Sequence, residues 1–256
     1  MIHHSTAGPG TPGPASFGAF PLQLHRLDGP VRASFGFIRD AVFGQLDRWA
    51  QDALGPAESA GLRRCRTSRR ELSYLAGRFA ARQAVALYLN GQGGDQAFEV
   101  SSGVFNQPIV RCPAFEPPAI TISHTDDLAV AIAHDAGHVL GVDVEQMRVF
   151  SRATVDCFLT DAERRLAAAL PGDEPGQLTA VWTIKEALSK ALRCGLSVPL
   201  GILEISGLDI DGNGCVRSDF SNFQQYKCQT WMLRSHVLSI AMPRSTDVTF
   251  DGASLE

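Results

Sequence analysis

Two long amphipathic segments constrain this chain more than any other feature. From about Glu71 to Leu89, the residues Leu72, Leu75, Phe79, Ala86 and Leu89 recur at three- and four-residue intervals. Val181, Ile184, Leu188 and Ala191 do the same between about 178 and 193. That spacing lines one face of an α-helix, which another layer must cover. Short apolar runs of strand length are available for it: Phe98 to Ser101, Ile120 to Ser123, Leu128 to Ala133, Val139 to Glu145, and stretches near 202–206, 229–234 and 236–242. A further helix is expected over 155–170, stopped by Pro171-Gly172. This mixture predicts an α+β fold. A faint repeat runs through it. Ser123-His124 precedes the apolar run Leu128–Ala133, Ser235-His236 precedes Val237–Ala241, and each half holds one long helix. Two similar α+β halves would produce this pattern, one over 20–138 and the other over 139–246. Residues 1–19, rich in Gly and Pro, read as a disordered leader, and 247–256 as a loose tail.

Composition narrows the class. Of 256 residues, 45% are hydrophobic and 20% charged, which suits a globular protein in water. The formal net charge of −4 argues against a nucleic-acid coat. No apolar run approaches the roughly 18 residues of a membrane span. The N-terminus lacks a basic region followed by an apolar core, so a cytoplasmic protein is expected. Six cysteines show no CxxC spacing and no zinc-finger histidines, and read as buried free thiols in a reducing compartment. Among 23 basic residues the only lysines are Lys185, Lys190 and Lys227, and two of them fall in the second helix. Arg63, Arg64, Arg66, Arg69 and Arg70 form either a solvated surface or a phosphate-facing patch.

Three local patterns carry chemistry. In the strand Gly141-Val142-Asp143-Val144-Glu145, residues two apart point the same way, so Asp143 and Glu145 share a face. Either this is a solvated strand face, or a hard cation such as Mg²⁺ relieves the repulsion between the two acids. In the helix containing Trp182–Lys190, Ile184 and Leu188 face inward, while Glu186 and Lys190 stand four apart on another face. They are either an ordinary exposed ion pair or a third oxygen ligand (or base) beside a phosphate-holding cation, with Lys185 as a second cation. Ser123-His124, at a strand end, is either structural or a pair of donors to a phosphate.

Together these residues resemble the 4′-phosphopantetheinyl transferases, in particular the larger surfactin/enterobactin-synthesis type. Gly141–Glu145 matches that family's G-[IV]-D-x-E strand, and Trp182–Lys190 its W-[ST]-x-K-E-[AS]-x-x-K helix, in the same order. Ser123-His124 matches its S-H element, Leu75-Ala76-Gly77-Arg78 with Arg82 its L-x-G-R-x-x-x-R element, and Phe158 with Glu163 the stretch between the two main motifs. The resemblance covers roughly residues 60–245. One element departs from it: the family's G-K-P is Asn106-Gln107-Pro108 here, without the Gly and the cation.

The resemblance implies a pseudo-dimer of two α+β halves with the coenzyme in the cleft between them. It implies Mg²⁺-dependent transfer of the phosphopantetheine arm of coenzyme A to a serine of an apo acyl, peptidyl or aryl carrier protein, as in secondary-metabolite biosynthesis. Asp143, Glu145 and Glu186 would hold the metal. Glu186 and Lys190 would be catalytic. Arg78, Arg82, Gln107, Pro108, Ser123, His124 and Lys185 would bind the coenzyme. A monomer suffices for such a cleft. We expect the helix and loop around 150–175, with Phe158, to form the surface that receives the carrier. The alternatives are a non-catalytic coenzyme A-binding subunit and a Mg²⁺-dependent phosphohydrolase.

Overall fold

Strand structure begins earlier than the composition suggests. The structure, a computed structural model, describes residues 16–91 and 98–255. Most of the expected leader lies outside the described residues, but Phe17–Ala19 open the strand Phe17–Arg26 (β1). This strand pairs antiparallel with Val31–Arg39 (β2). Pro21, which cannot donate to a ladder, is tolerated because the strand on the other side of β1 covers only Gln23–Arg26.

Three helices follow: Leu46–Ala53 (α1), Pro56–Leu62 (α2) and Ser68–Tyr88 (α3). Thr67 caps the last of these by accepting from Arg70 N at 3.2 Å. A hairpin of Glu99–Ser102 (β3) and Pro108–Arg111 (β4) leads to Ala119–His124 (β5), Leu128–His134 (β6) and Gly141–Gln146 (β7). The single helix expected over 155–170 is two, Arg152–Phe158 (α4) and Asp161–Ala167 (α5). Thr160 and Glu163 form a capping box that starts a new helix there. Glu174–Ala191 (α6) is followed by Ile205–Ile210 (β8), Val216–Phe220 (β9), Tyr226–Met232 (β10), His236–Pro243 (β11) and Thr246–Thr249 (β12).

Two antiparallel five-stranded sheets result, ordered β12-β1-β2-β6-β5 and β7-β11-β10-β9-β8. The chain end is therefore not a loose tail: β12 returns to the first sheet, and Leu255 is buried. Phe35, Phe37, Val130 and Ile132 of one sheet share an apolar layer with Val142, Val144, Leu238 and Ile240 of the other. Helix α3 covers the outer face of the first sheet and α6 the outer face of the second. Of the six cysteines, only Cys215 and Cys228 are buried and Cys157 is exposed, so the uniform burial expected of them does not hold.

Both sheets admit their helix by the same device. A Cβ on Gly36 of β2 would lie 2.7 Å from Ala84 N of α3, and one on Gly141 of β7 would lie 2.5 Å from Ala191 N of α6. Backbone meets backbone at these points, and neither side can yield. Gly141→Ala is expected to cost about 1–3 kcal/mol through overpacking. That corresponds to a drop in melting midpoint of roughly 2–12 °C, measured against Gly201→Ala, whose Cβ meets nothing.

Candidate active site

The site is built where α6 crosses β7. Trp182, Glu186 and Lys190 lie at i, i+4 and i+8 on α6 and are the half-buried positions of a helix otherwise buried over this stretch. Opposite them stand the acids of β7. Trp182 Nε1 donates to Glu145 Oε1 at 3.1 Å, and Lys190 Nζ donates to Asp143 Oδ1 at 2.7 Å. Lys190 also donates to the Ile122 carbonyl of β5 at 3.2 Å. Strand β5 belongs to the other sheet and is stitched to β7 by hydroxyls. Thr121 Oγ1 accepts from Val142 N at 3.1 Å, and Ser123 Oγ accepts from Val144 N at 3.2 Å while donating to Asp143 Oδ1 at 2.8 Å.

Asp143 is buried, and its Oδ2 has no hydrogen-bond partner. An orphaned carboxylate oxygen carries a large desolvation cost unless a cation meets it. Burial and the neighbouring Asp143 raise the Glu145 pKa above its ordinary value. The same two causes, with a smaller contribution from Glu145, push Glu186 up to about 7. Three mutually repelling carboxyl groups of this kind suit a hard divalent ion in donor chemistry. They are not gathered into a finished cage, however: among the described residues no three His, Cys, Asp or Glu side chains stand where they could hold one ion together. Trp182 engages one oxygen of Glu145, and Ser123 and Lys190 share one oxygen of Asp143.

Cavities open at both ends of the β5/β7 seam. At one end, Arg69, Arg70, Tyr74, His124, Glu145 and Arg148 line a groove of about 650 Å³. His124 is solvent-accessible, but the concave wall around it and the nearby Lys190 lower its pKa, which favours the neutral ring. At the other end, Gln107, Pro108, Ile122, His138, Lys190 and Arg193 line a largely apolar cavity of about 460 Å³. Gln107 and Pro108 thus share a cavity with Lys190, although the Gln107 Oε1 accepts from Phe105 N at 2.9 Å within its own turn.

Four of the expected side chains are already engaged in contacts of their own. Arg82 is buried on Glu58, with its Nη1 2.9 Å from Oε2, and it stacks on Phe98. Lys185 is wholly buried and donates to Glu163 Oε2 at 2.9 Å and to the Phe158 carbonyl at 2.7 Å. Ser123 orients Asp143 rather than facing solvent. Phe158 packs edge-on against Trp182 in the core, so it presents no docking surface. Arg78 is also buried and lies over the Tyr74 ring, with Nε unpartnered. The two Ser-His dipeptides are not equivalent either. His124 ends β5, whereas His236 begins β11 and joins Asp127 at 2.9 Å. What repeats is β6 against β11, each pairing back on the strand before it.

Two functional contacts escape a reading of the sequence: Trp182 as a partner of Glu145, and Thr121 as the stitch between the sheets. The i, i+4, i+8 run of Trp182, Glu186 and Lys190 is the signal that could have exposed the former.

Residues 139–241 match the family model of the 4′-phosphopantetheinyl transferase superfamily, ACPS. That span holds β7, α6 and every acid of the site. Among solved structures, a holo-(acyl-carrier-protein) synthase from Bacillus anthracis str. Ames, in complex with CoA (3′,5′-ADP), is similar at 19% identity and a TM-score of 0.36. The similarity covers 46% of this chain and 100% of the other. A search of curated proteins finds no match.

Proposed function

We propose that this chain transfers the 4′-phosphopantetheine arm of coenzyme A to a serine of an apo carrier protein, releasing adenosine 3′,5′-bisphosphate. On this reading it is a pseudo-dimeric enzyme of the larger surfactin/enterobactin type, and a single chain completes the cleft. The observation that carries the proposal is the α6 stripe set against the two β7 acids, within the stretch the family model matches.

Asp143, through its unpartnered Oδ2, would meet Mg²⁺ first, and Glu145 and Glu186 would join it as ligands only by turning their carboxylates toward that ion. The ion would neutralise the coenzyme's pyrophosphate as a Lewis acid. The remaining roles fall to the chain's own groups. Glu186 would accept the serine proton, directly or through a bound water. Lys190 uses two of its three N–H groups on Asp143 and Ile122, leaving one to meet charge building on the transferred phosphate. The groove bearing Arg69, Arg70 and His124 suits the coenzyme's 3′-phosphate, with Arg69 and Arg70 in the place expected of Arg82. Gln107 and Pro108 remain candidates for the wall against the nucleotide.

Incubation with coenzyme A, Mg²⁺ and an apo carrier protein tests the proposal. A carrier mass gain of one phosphopantetheine arm supports it. Cleaved coenzyme A with an unmodified carrier would mean a phosphohydrolase, and binding without turnover a non-catalytic subunit; either would overturn it.

A further inference from the structure

Glu145 stands two residues after Asp143 on β7, on the same face, and Asp143 is paired with the Lys190 ammonium at 2.7 Å. Two groups outside that pair hold the Glu145 carboxylate. Arg148 stands 4.0 Å from Oε2, an exposed and loose ion pair, while the Trp182 indole donates to Oε1 at 3.1 Å. The indole is held in turn: its ring meets Phe158 edge-on at 5.3 Å between centroids, and Phe158 meets Phe150 at 5.4 Å. Its N–H is therefore a donor in a fixed place rather than a mobile surface group.

We infer that Trp182 is a positioning residue for the proposed reaction: its indole N–H keeps Glu145 apart from the Asp143–Lys190 pair and aimed along the α6 stripe. This rests on the transferase reading only for its consequence in Mg²⁺ binding; the hydrogen bond itself is independent of that reading. Partners of this kind behind metal-binding carboxylates typically change ion affinity 10–100-fold when lost.

The first experiment needs no ion. In the ¹H–¹⁵N spectrum the Trp182 indole resonance is assigned by its disappearance in Trp182→Phe. It should move upfield in Glu145→Ala, and in Glu145→Gln should the alanine variant fold poorly. An unmoved resonance in both would overturn the inference. The second experiment measures Mg²⁺ binding by calorimetry in the presence of coenzyme A. Trp182→Phe keeps the ring packing and should weaken Mg²⁺ roughly tenfold, while the same substitution in a Glu145→Ala background should add nothing. Equal Mg²⁺ affinity in wild type and Trp182→Phe, or an undiminished effect without Glu145, would overturn it. If no variant, nor the wild type, binds Mg²⁺ while the indole shift still depends on Glu145, the transferase reading fails and the positioning contact stands.

Discussion

Glu186→Gln is expected to abolish nearly all transfer while leaving the protein more stable. Loss of a general base typically costs 10²–10⁴-fold in rate, so kcat for carrier modification should fall at least about 100-fold. Coenzyme A affinity should fall far less, because the groove at Arg69, Arg70 and His124 is untouched. The gain in stability follows from the raised pKa of about 7, caused first by burial and then by the Asp143 charge. A carboxyl group whose folded pKa exceeds its unfolded value binds protons more tightly when folded. It therefore disfavours the folded state progressively as pH rises from the ordinary carboxylate range to about 7, and fully above that. With chelator present, wild type and Glu186→Gln should melt alike near pH 4, and the variant should melt several degrees higher at pH 8. A variant that transfers at more than a tenth of the wild-type rate would remove Glu186 as the base. Equal midpoints at pH 8 would mean that its charge is already compensated.

Much of this site can be read from spacing alone, and the limits of that reading have physical causes. The two long helices are legible because a stripe at 3.6-residue period over eighteen or more residues arises from little besides an amphipathic helix. The strands β5, β6, β7 and β11 are legible as largely apolar, mostly buried runs. The β1–β2 hairpin is not, because Pro21 and the Gly-rich segment before it look like loop. Nor is β12, which is four residues long and held by pairing with a strand more than two hundred residues earlier. At the site, residue types point correctly to Asp143, Glu145, Glu186 and Lys190 as neighbours. They do not separate a lysine that reaches the cleft from one a turn away that does not. Lys185 and Lys190 differ by five positions, enough to rotate one into the core and the other onto the seam. Arg82 is hidden in the same way: it sits within a functional motif, yet its register on α3 turns it inward toward a buried acid.

Lys185→Met separates these two roles most sharply. Glu163 is fully buried and already serves three partners: Lys185 Nζ at 2.8 Å, Thr160 N at 2.9 Å in the capping box, and Ile205 N at 2.9 Å at the start of β8. The first half contains the same arrangement. Glu58 accepts from Gly55 N at 3.0 Å, from Val100 N of β3 at 3.2 Å and from Arg82 at 2.9 Å. In each case a glutamate on a short helix accepts from the N-cap backbone N–H and ties the long helix to the next strand through one buried cation. Removing one member of such a pair leaves an uncompensated charge in the interior and typically costs 3–5 kcal/mol. Lys185→Met should therefore lower the melting midpoint by roughly 6–20 °C. Lys185→Met with Glu163→Gln should regain part of that loss, since the amide oxygen can still accept a backbone N–H and no charge remains to be buried. A phosphate contact at Lys185 would give the opposite pattern: an unchanged midpoint and a raised KM for coenzyme A. Should that pattern appear, α6 would have to present Lys185 to the cleft, and the buried tie to Glu163 would be the wrong account of how this helix is held.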